Sequence, residues 1–179
     1  MRVMVACGEA SGDLYAGALI RELKSRKPGI DVFGIGGEKM QAAGGQLVAD
    51  YHGIAITGLT EALRVVPRFY ATLRRLVAEA RANRPDVFVA IDSPELNFRL
   101  MAALKPLGIP IVYYISPQLW AWRAGRMKTM KQFVDRMLVI FPLEEPLYGR
   151  EGVDVRFVGH PLIDLVTVGE SRGSLLGRL

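Results

Sequence analysis

Short runs of apolar residues alternate along the chain with longer segments in which apolar residues recur every three or four positions. The short runs are typical of strands buried on both faces, and the longer segments are typical of amphipathic helices. Strands are predicted over residues 3–7, 31–35, 47–49, 86–91, 111–115, 136–140 and 155–158. Helices are predicted over residues 14–27, 38–43, 59–83, 95–104, 123–133 and 144–149. Pro67 lies inside the third helical pattern and must either kink that helix or start a second one.

Strands and helices that alternate at these spacings form βαβ units. The pattern therefore predicts an α/β fold, with a Rossmann-like parallel sheet and helices on both of its faces. In this interpretation residues 1–166 form one domain, and residues 167–179, which lose the pattern, form a linker or tail.

Composition narrows the class of protein. Half of the 179 residues are hydrophobic, which suits one domain with a sizeable core. The net charge of +5 favours anionic partners, but the basic residues are scattered and show no reader motif, which argues against nucleic acid. One cysteine, Cys7, favours a reducing cytoplasm, and with only two histidines beside it no zinc site is expected. No apolar run is long enough to span a membrane.

In an open parallel sheet, ligands bind outside the carboxyl ends of the strands, so the segments that follow the strands are candidates. The first strand runs into residues 8–13, Gly-Glu-Ala-Ser-Gly-Asp, where two glycines permit close backbone approach. Ser11 or Asp13 can cap the helix that follows. The segment lacks the spacing of a P-loop or of a dinucleotide fingerprint. A plain turn with a cap is the alternative to a binding loop.

Asp92 is the sharper candidate, because it directly follows the 86–91 strand. Ser93 is a natural N-cap and Pro94 a natural first helical residue, which leaves the Asp92 carboxylate free at the mouth of the sheet. A carboxylate in that position can act as a general base towards a hydroxyl group. A second cap or an ion pair within the loop is the alternative.

Two further sequence features suggest binding roles, but each also has a purely structural explanation. Trp122 and Arg123 follow the 111–115 strand and His160 follows the last one, yet tryptophan and histidine are more often structural than ligand-binding. Arg64, Arg68, Arg74 and Arg75 lie beside the apolar stripe of the 59–83 helix, as in an interfacial membrane helix. A helix that packs on the sheet and exposes a solvated basic face is at least as common.

Four segments that follow strands are together similar to lipid A disaccharide synthase, in the same order along the chain. They are Gly-Glu-Ala-Ser-Gly-Asp at 8–13, Ile-Asp-Ser-Pro-Glu-Leu-Asn at 91–97, Tyr-Ile-Ser-Pro-Gln-Leu-Trp-Ala-Trp-Arg at 114–123 and Phe-Val-Gly-His-Pro at 157–161. Each segment alone is modest evidence of the resemblance, but four segments in the same order are highly specific. The resemblance runs from residue 1 to about residue 166.

The resemblance implies the amino-terminal, acceptor-side domain of a two-domain GT-B glycosyltransferase. Such enzymes join UDP-2,3-diacylglucosamine to 2,3-diacylglucosamine 1-phosphate (lipid X) with inversion, giving lipid A disaccharide 1-phosphate and UDP. No metal or other cofactor is implied. Asp92 would be the catalytic residue that deprotonates or orients the acceptor 6-hydroxyl. The residues implied to bind substrate are Glu9, Ser11, Asp13, Asn97, Ser116, Gln118, Trp122, Arg123 and His160.

The resemblance also implies a cytoplasmic protein that is peripheral on the inner membrane, and it leaves room for a homodimer. The side chains implied to face the membrane are Leu63, Val66, Phe69 and Tyr70. Members of that family carry a carboxy-terminal domain with most of the UDP-binding residues, and we expect that domain to be absent from residues 1–179.

Three other interpretations follow from these expectations. The chain alone is expected to lack normal turnover, so a non-catalytic module that binds acyl-sugars or membranes is one alternative. A UDP-sugar epimerase and the peptidoglycan glycosyltransferase of similar architecture are two others. The latter needs a glycine-rich first loop with histidine, which residues 8–13 do not supply.

Overall fold

The computed structural model describes residues 1–54, 62–117 and 127–166, and for residues 62–65 it describes the backbone alone. The strands are β1 (Arg2–Ala6), β2 (Asp31–Gly36), β3 (Gln46–Asp50), β4 (Val87–Ile91), β5 (Ile111–Tyr114), β6 (Arg136–Val139) and β7 (Val155–Phe157). The helices are α1 (Ala10–Arg26), α2 (Glu38–Ala42), α3 (Ala62–Ala82), α4 (Pro94–Leu104), α5 (Met127–Phe133), α6 (Glu144–Arg150) and α7 (Leu162–Leu165). Short 3-10 turns cover Tyr51–Gly53 and Lys105–Leu107.

The seven strands form one sheet in the order β3-β2-β1-β4-β5-β6-β7, and every neighbouring pair is parallel. The chain builds outward from β1 to β3, returns to the other side of β1, and then builds outward again from β4 to β7. The strand order therefore reverses between β1 and β4, and the helices that follow these two strands, α1 and α4, pack on opposite faces of the sheet. This arrangement leaves a crevice outside the carboxyl ends of the two strands. This architecture confirms the predicted Rossmann-like α/β fold.

The predicted strands are all present, with ends that differ by one residue at most. The largest difference is α1, which begins at Ala10 instead of residue 14, so most of the predicted loop is the first turn of a helix. Ser11 and Asp13 lie inside that helix, and the prediction that one of them caps it is wrong. Pro67 lies inside α3, so a second helix that starts there is also wrong. Residues 167–179, the predicted linker or tail, lie outside the described residues.

The two faces of the sheet bury separate apolar clusters. On one face Met4, Phe88 and Tyr113 pack under α3 and α4, through residues such as Leu76 and Leu100. On the other face, the strand residues that alternate with these pack against α1 and α2; this cluster includes Val3, Val5, Val89, Ile91, Ala16, Ile20 and Met40. Burial on both faces explains why the strands are continuous apolar runs rather than alternating ones.

Helices cover the sheet less completely over β4, β5 and β6. A groove of about 530 Å³ runs over β4, β5 and β6 between α1 and α7, and most of its lining is apolar. Val89, Val112 and Leu138 form its floor, and Tyr114 and His160 lie at the end nearest the carboxyl edge of the strands. No helix of the described residues fills this groove.

Gly34 in β2 is a position where only glycine fits. Its φ is +148°, and a Cβ atom there would lie 1.9 Å from the carbonyl oxygen of Val5 on the neighbouring strand. A side chain would force β1 and β2 apart at the centre of the sheet.

Gly34→Ala is therefore expected to lower the free energy of unfolding by about 3 kcal/mol or more, because overpacking and backbone strain act together. Chemical denaturation monitored by circular dichroism measures the change. Gly29→Ala is the matched control, because a Cβ there would meet nothing within 4 Å. A Gly34→Ala protein as stable as the control would contradict the close approach.

Candidate active site

The turn between β1 and α1 brings Gly8 and Glu9 to the crevice. The Gly8 N–H donates to Ser93 Oγ over 2.8 Å, which joins this turn to the one after β4. A Cβ on Gly8 would lie 3.0 Å from Ser93 Oγ and 3.1 Å from its Cβ, so a larger residue would push the two turns apart. Glu9 is the N-cap residue of α1, but its side chain does not cap the helix. Its exposed carboxyl instead accepts a hydrogen bond from Ser11 Oγ at 2.5 Å.

The turn between β4 and α4 has an unusual backbone. Asp92 and Ser93 have φ values of 43° and 44°, in the left-handed region that residues other than glycine rarely adopt. Ser93 is the N-cap residue of α4 and Pro94 is its first residue, as predicted. The Ser93 hydroxyl does not cap the helix, however, because it accepts from Gly8. Strain of this kind concentrates at functional sites.

The carboxyl groups of Glu9 and Asp92 meet in the crevice. The pKa of Asp92 is raised to about 6, first because the group is largely buried, then because of the negative charge of Glu9 and the hydrogen bond between the two carboxyls. The Ser93 N–H acts in the opposite direction and stabilises the charged form. A second carboxyl group in hydrogen-bond contact thus favours the protonated form of Asp92.

An aromatic rim borders the carboxyl pair. The ring of His160 lies edge-on to Tyr15, with centroids 6.4 Å apart, and to Phe141 at 5.7 Å. Burial raises the pKa of Tyr15, and the charges of Asp92 and Glu9 raise it further, which indicates that Tyr15 lies near the pair. The sequence analysis missed Tyr15, although it lies one helical turn after Ser11 and so shares its face of α1.

Asp13 and Asn97 lie next to the crevice, but their side chains bind the protein backbone. Asp13 is buried, and its carboxylate accepts from the N–H groups of Gly37, Lys39 and Met40 at 2.7, 2.9 and 3.0 Å. Asp13 thus caps α2 rather than α1. Asn97 is fully buried, and its Nδ2 donates to the Asp92 carbonyl at 2.7 Å and more weakly to carbonyls at the ends of β1 and β4. Its Oδ1 has no hydrogen-bond partner among the described residues.

Ser116 is also bonded internally. It is buried, and its Oγ donates to Oε1 of Glu144 at 2.6 Å. Glu144 is 1% exposed and accepts from the Phe141 N–H through its other oxygen at 3.2 Å. This buried carboxylate, whose role the sequence analysis missed, joins the ends of β5 and β6. A glutamate two residues after Pro142 at a strand end was the only local signal for it.

Three of the predicted substrate-binding residues, Gln118, Trp122 and Arg123, lie outside the described residues. Glu9, Ser11, Asp92 and His160 are therefore the predicted side chains that the described structure gathers around an open crevice. In the described parts of the chain, no group of three or more His, Cys, Asp or Glu side chains is arranged to hold a metal ion.

The predicted membrane-facing residues lie on α3, away from the carboxyl pair. Val66 and Tyr70 are 49% and 44% exposed. Phe69 is half-buried, with its ring 5.4 Å from the guanidinium of Arg99 and edge-on to Tyr70. The side chain of Leu63 is outside the described structure. Over its described residues, the chain has no helix with the length and apolar character needed to cross a membrane.

Residues 3–176 match the family of lipid-A-disaccharide synthetases. The chain belongs to this family. The lipid-A-disaccharide synthase of Koribacter versatilis is 47% identical over 170 residues, which cover 94% of this chain and 44% of that protein. The synthase of Syntrophus aciditrophicus is 46% identical over 174 residues, or 97% of this chain and 45% of that protein. This synthetase-family chain thus spans less than half of the length of these relatives.

A solved UDP-N-acetylglucosamine 2-epimerase shares the fold of this chain. The two superpose with a TM-score of 0.69 over 98% of this chain and 53% of the epimerase, at 15% identity. At that identity the likeness shows the fold alone. The family resemblance that four strand-end segments predicted is confirmed by the family match, not by the fold.

Glu9→Gln is expected to lower the pKa of Asp92 from about 6 towards its ordinary value, because it removes the negative charge next to it while keeping the side chain's size. Carboxyl-carbon NMR titration measures this pKa, with Asp92→Asn to identify the signal. Glu22→Gln on the exposed side of α1, where Glu22 pairs with Arg26, is the control and should change nothing at Asp92. An Asp92 titration that is the same in the Glu9→Gln protein would show that the two groups do not interact.

Proposed function

We propose that this chain forms the acceptor side of a glycosyltransferase that makes the lipid A disaccharide. The substrates would be UDP-2,3-diacylglucosamine as the donor and lipid X as the acceptor. Family membership supports the reaction, and the relatives' greater length supports a second, donor-binding domain of GT-B type as the other half of the enzyme. The observation that carries the proposal is the Glu9–Asp92 pair in the crevice between β1 and β4.

In this proposal Asp92 is the general base. A carboxyl group with a pKa of about 6 is mainly ionised at neutral pH, yet it holds a proton more strongly than an ordinary aspartate. A catalytic base is most effective when its pKa lies close to the working pH. Glu9, which is hydrogen-bonded to Ser11, supplies the neighbouring charge that keeps Asp92 in this range.

The reaction would proceed in one displacement. The acceptor 6-hydroxyl oxygen forms a bond to the anomeric carbon of the donor as its proton passes to Asp92. The bond between that carbon and the diphosphate oxygen breaks, and UDP leaves with the electron pair. Attack from the face opposite UDP inverts the anomeric centre. Nothing in this sequence of bonds calls on a metal or other cofactor from the chain.

The remaining predicted residues divide into two groups in this proposal. Ser11 and His160 border the crevice, so they are the ones that we infer to touch the acceptor, together with Tyr15. Asp13, Asn97 and Ser116 would act on substrate through the groups that they hold, because they are buried and their polar atoms bond within the protein. Gln118, Trp122 and Arg123 stay predicted substrate contacts.

Asp92→Asn is expected to reduce disaccharide formation by about 10²–10⁴-fold, because the amide cannot accept the proton. The assay uses this chain joined to the carboxyl-terminal half of a relative. In the parent protein the rate should fall as the pH drops below about 6, where Asp92 becomes protonated. Asp31→Asn, in an exposed pair with Arg2, is the control. An unchanged rate for Asp92→Asn would rule out this base.

We also propose that α3 touches the inner membrane, with the protein on its cytoplasmic side. The exposed Val66 and Tyr70 would enter the interface, where acyl chains of the substrates are anchored. Arginines such as Arg68 and Arg74 on the same helix would favour anionic headgroups. Phe69 is a weaker candidate, because its ring also contacts Arg99 within the protein.

Val66→Ser with Tyr70→Ser is expected to weaken sedimentation with anionic liposomes, since less apolar surface enters the interface. Ile163→Ser is the matched control: Ile163 is 79% exposed but lies on α7, and its loss should not affect binding. Equal sedimentation of the Val66/Tyr70 variant and the parent chain would contradict a membrane role for α3.

The non-catalytic alternative is a module that uses the exposed apolar side chains of α3, such as Val66 and Tyr70, and not the carboxyl pair. A module of this kind would bind lipid X or membranes without releasing UDP. If the joined protein binds lipid X with the parent affinity but releases no UDP from the donor, this alternative replaces the transferase.

A further inference from the structure

The conformation of Asp92 needs support from outside its own turn. Two consecutive residues in the left-handed region are unfavourable for an aspartate and a serine, so an isolated peptide would leave this conformation. Within the turn, the Ser93 carbonyl accepts the N–H groups of Leu96 and Asn97 at 3.2 and 3.0 Å, but these bonds fix the start of α4 and not the Asp92 peptide.

Two buried side chains converge on the carbonyl oxygen of Asp92. The Tyr113 hydroxyl donates to it over 2.6 Å, and Asn97 Nδ2 donates to it over 2.7 Å. A carbonyl oxygen has two lone pairs, so both acceptor positions are used. Tyr113 and Asn97 are themselves fully buried, so neither donor has bulk water as an alternative partner in the folded chain. Burial also raises the pKa of Tyr113 well above its usual value, so its hydroxyl keeps the proton that it donates.

Tyr113 is well placed for this task because of the sheet. It lies on β5, next to β4, and pairs in register with Ala90, two residues before Asp92. The Asp92 N–H donates to the carbonyl of Tyr114 at 3.1 Å, which extends the ladder between these strands by one more bond. The peptide on the carboxyl side of Asp92 is thus held from β5 and α4, while its side chain points to the crevice and Glu9.

We propose that Tyr113 is a positioning residue of this site, which together with Asn97 holds the Asp92 carbonyl inward and so turns the Asp92 carboxyl towards Glu9. The catalytic consequence rests on the proposed function, but the positioning itself is a property of this chain and can be measured without any turnover.

The pKa of Asp92 depends on where its carboxyl lies, so a titration of this group measures the positioning. The groups that face it are Glu9 and Tyr15 from the β1–α1 side and the Ser93 N–H from its own turn, and Glu95 on α4 acts on Tyr113. The Tyr113 hydroxyl bonds to the peptide oxygen of Asp92 and not to its carboxylate. We therefore expect removal of that hydroxyl to let Asp92 move away from Glu9 and towards water, which lowers its pKa.

The experiment is carboxyl-carbon NMR titration of this chain with Tyr113→Phe, using Asp92→Asn to assign the signal. The pKa of Asp92 is expected to fall from about 6 by about one unit. Tyr148→Phe is the matched control, since it also removes one buried hydroxyl that bonds to a backbone carbonyl, that of Pro117. Both variants should lose similar stability, and the control should leave the Asp92 titration unchanged.

An Asp92 pKa that stays at the parent value in a folded Tyr113→Phe protein would overturn the proposal. If that variant does not fold, Asn97→Ala removes the other donor to the same oxygen and should shift the pKa in the same direction. An unmodified chain whose Asp92 titrates at its ordinary value would overturn it as well. If Tyr113→Phe lowers the pKa of Asp92 but Asp92→Asn leaves the rate of the joined enzyme unchanged, the positioning stands and the proposed base is refuted instead.

Discussion

The reversal of strand order between β1 and β4 is the constraint on which the site depends. Because the chain leaves these two neighbouring strands towards opposite sides, no helix can close the space above their carboxyl ends. The polar residues that follow each strand therefore meet across a crevice, which is how Glu9 and Asp92 come together although 82 residues separate them in the sequence. Every other feature of the site either narrows this crevice or holds its two walls in register.

The two walls are held by groups whose hydrogen bonds lie within the protein. Gly8 has no side chain to keep its N–H away from Ser93. Asn97 bonds to carbonyl groups at the ends of both β1 and β4. Asp13 fixes α2 against α1 through three N–H groups. These bonds offset the backbone strain at Asp92 and Ser93, and they keep two carboxyl groups close enough to raise the pKa of Asp92.

The sheet was predictable from sequence because its strands are buried on both faces, so each is a continuous apolar run that ends at a polar turn. The position of Asp92 followed from the same rule. The partners of Asp13 were not predictable, because they lie on a different helix and no local pattern encodes the contact. Asp13 and Ser11 are residue types that often cap a helix, but α1 already begins at Ala10, before both of them. The role of Tyr113 was not predictable either, because in the sequence it is one more apolar residue of a buried strand.

The central claim is that Asp92 accepts the proton of the acceptor's 6-hydroxyl in the crevice between β1 and β4. A crystal structure of the protein joined to a carboxyl-terminal half and soaked with lipid X tests it most directly. If Asp92 is the base, the 6-hydroxyl oxygen will lie within about 2.6–3.2 Å of an Asp92 carboxylate oxygen, the range for direct proton transfer. A glucosamine ring that binds with a different hydroxyl at Asp92, or outside this crevice, would contradict it.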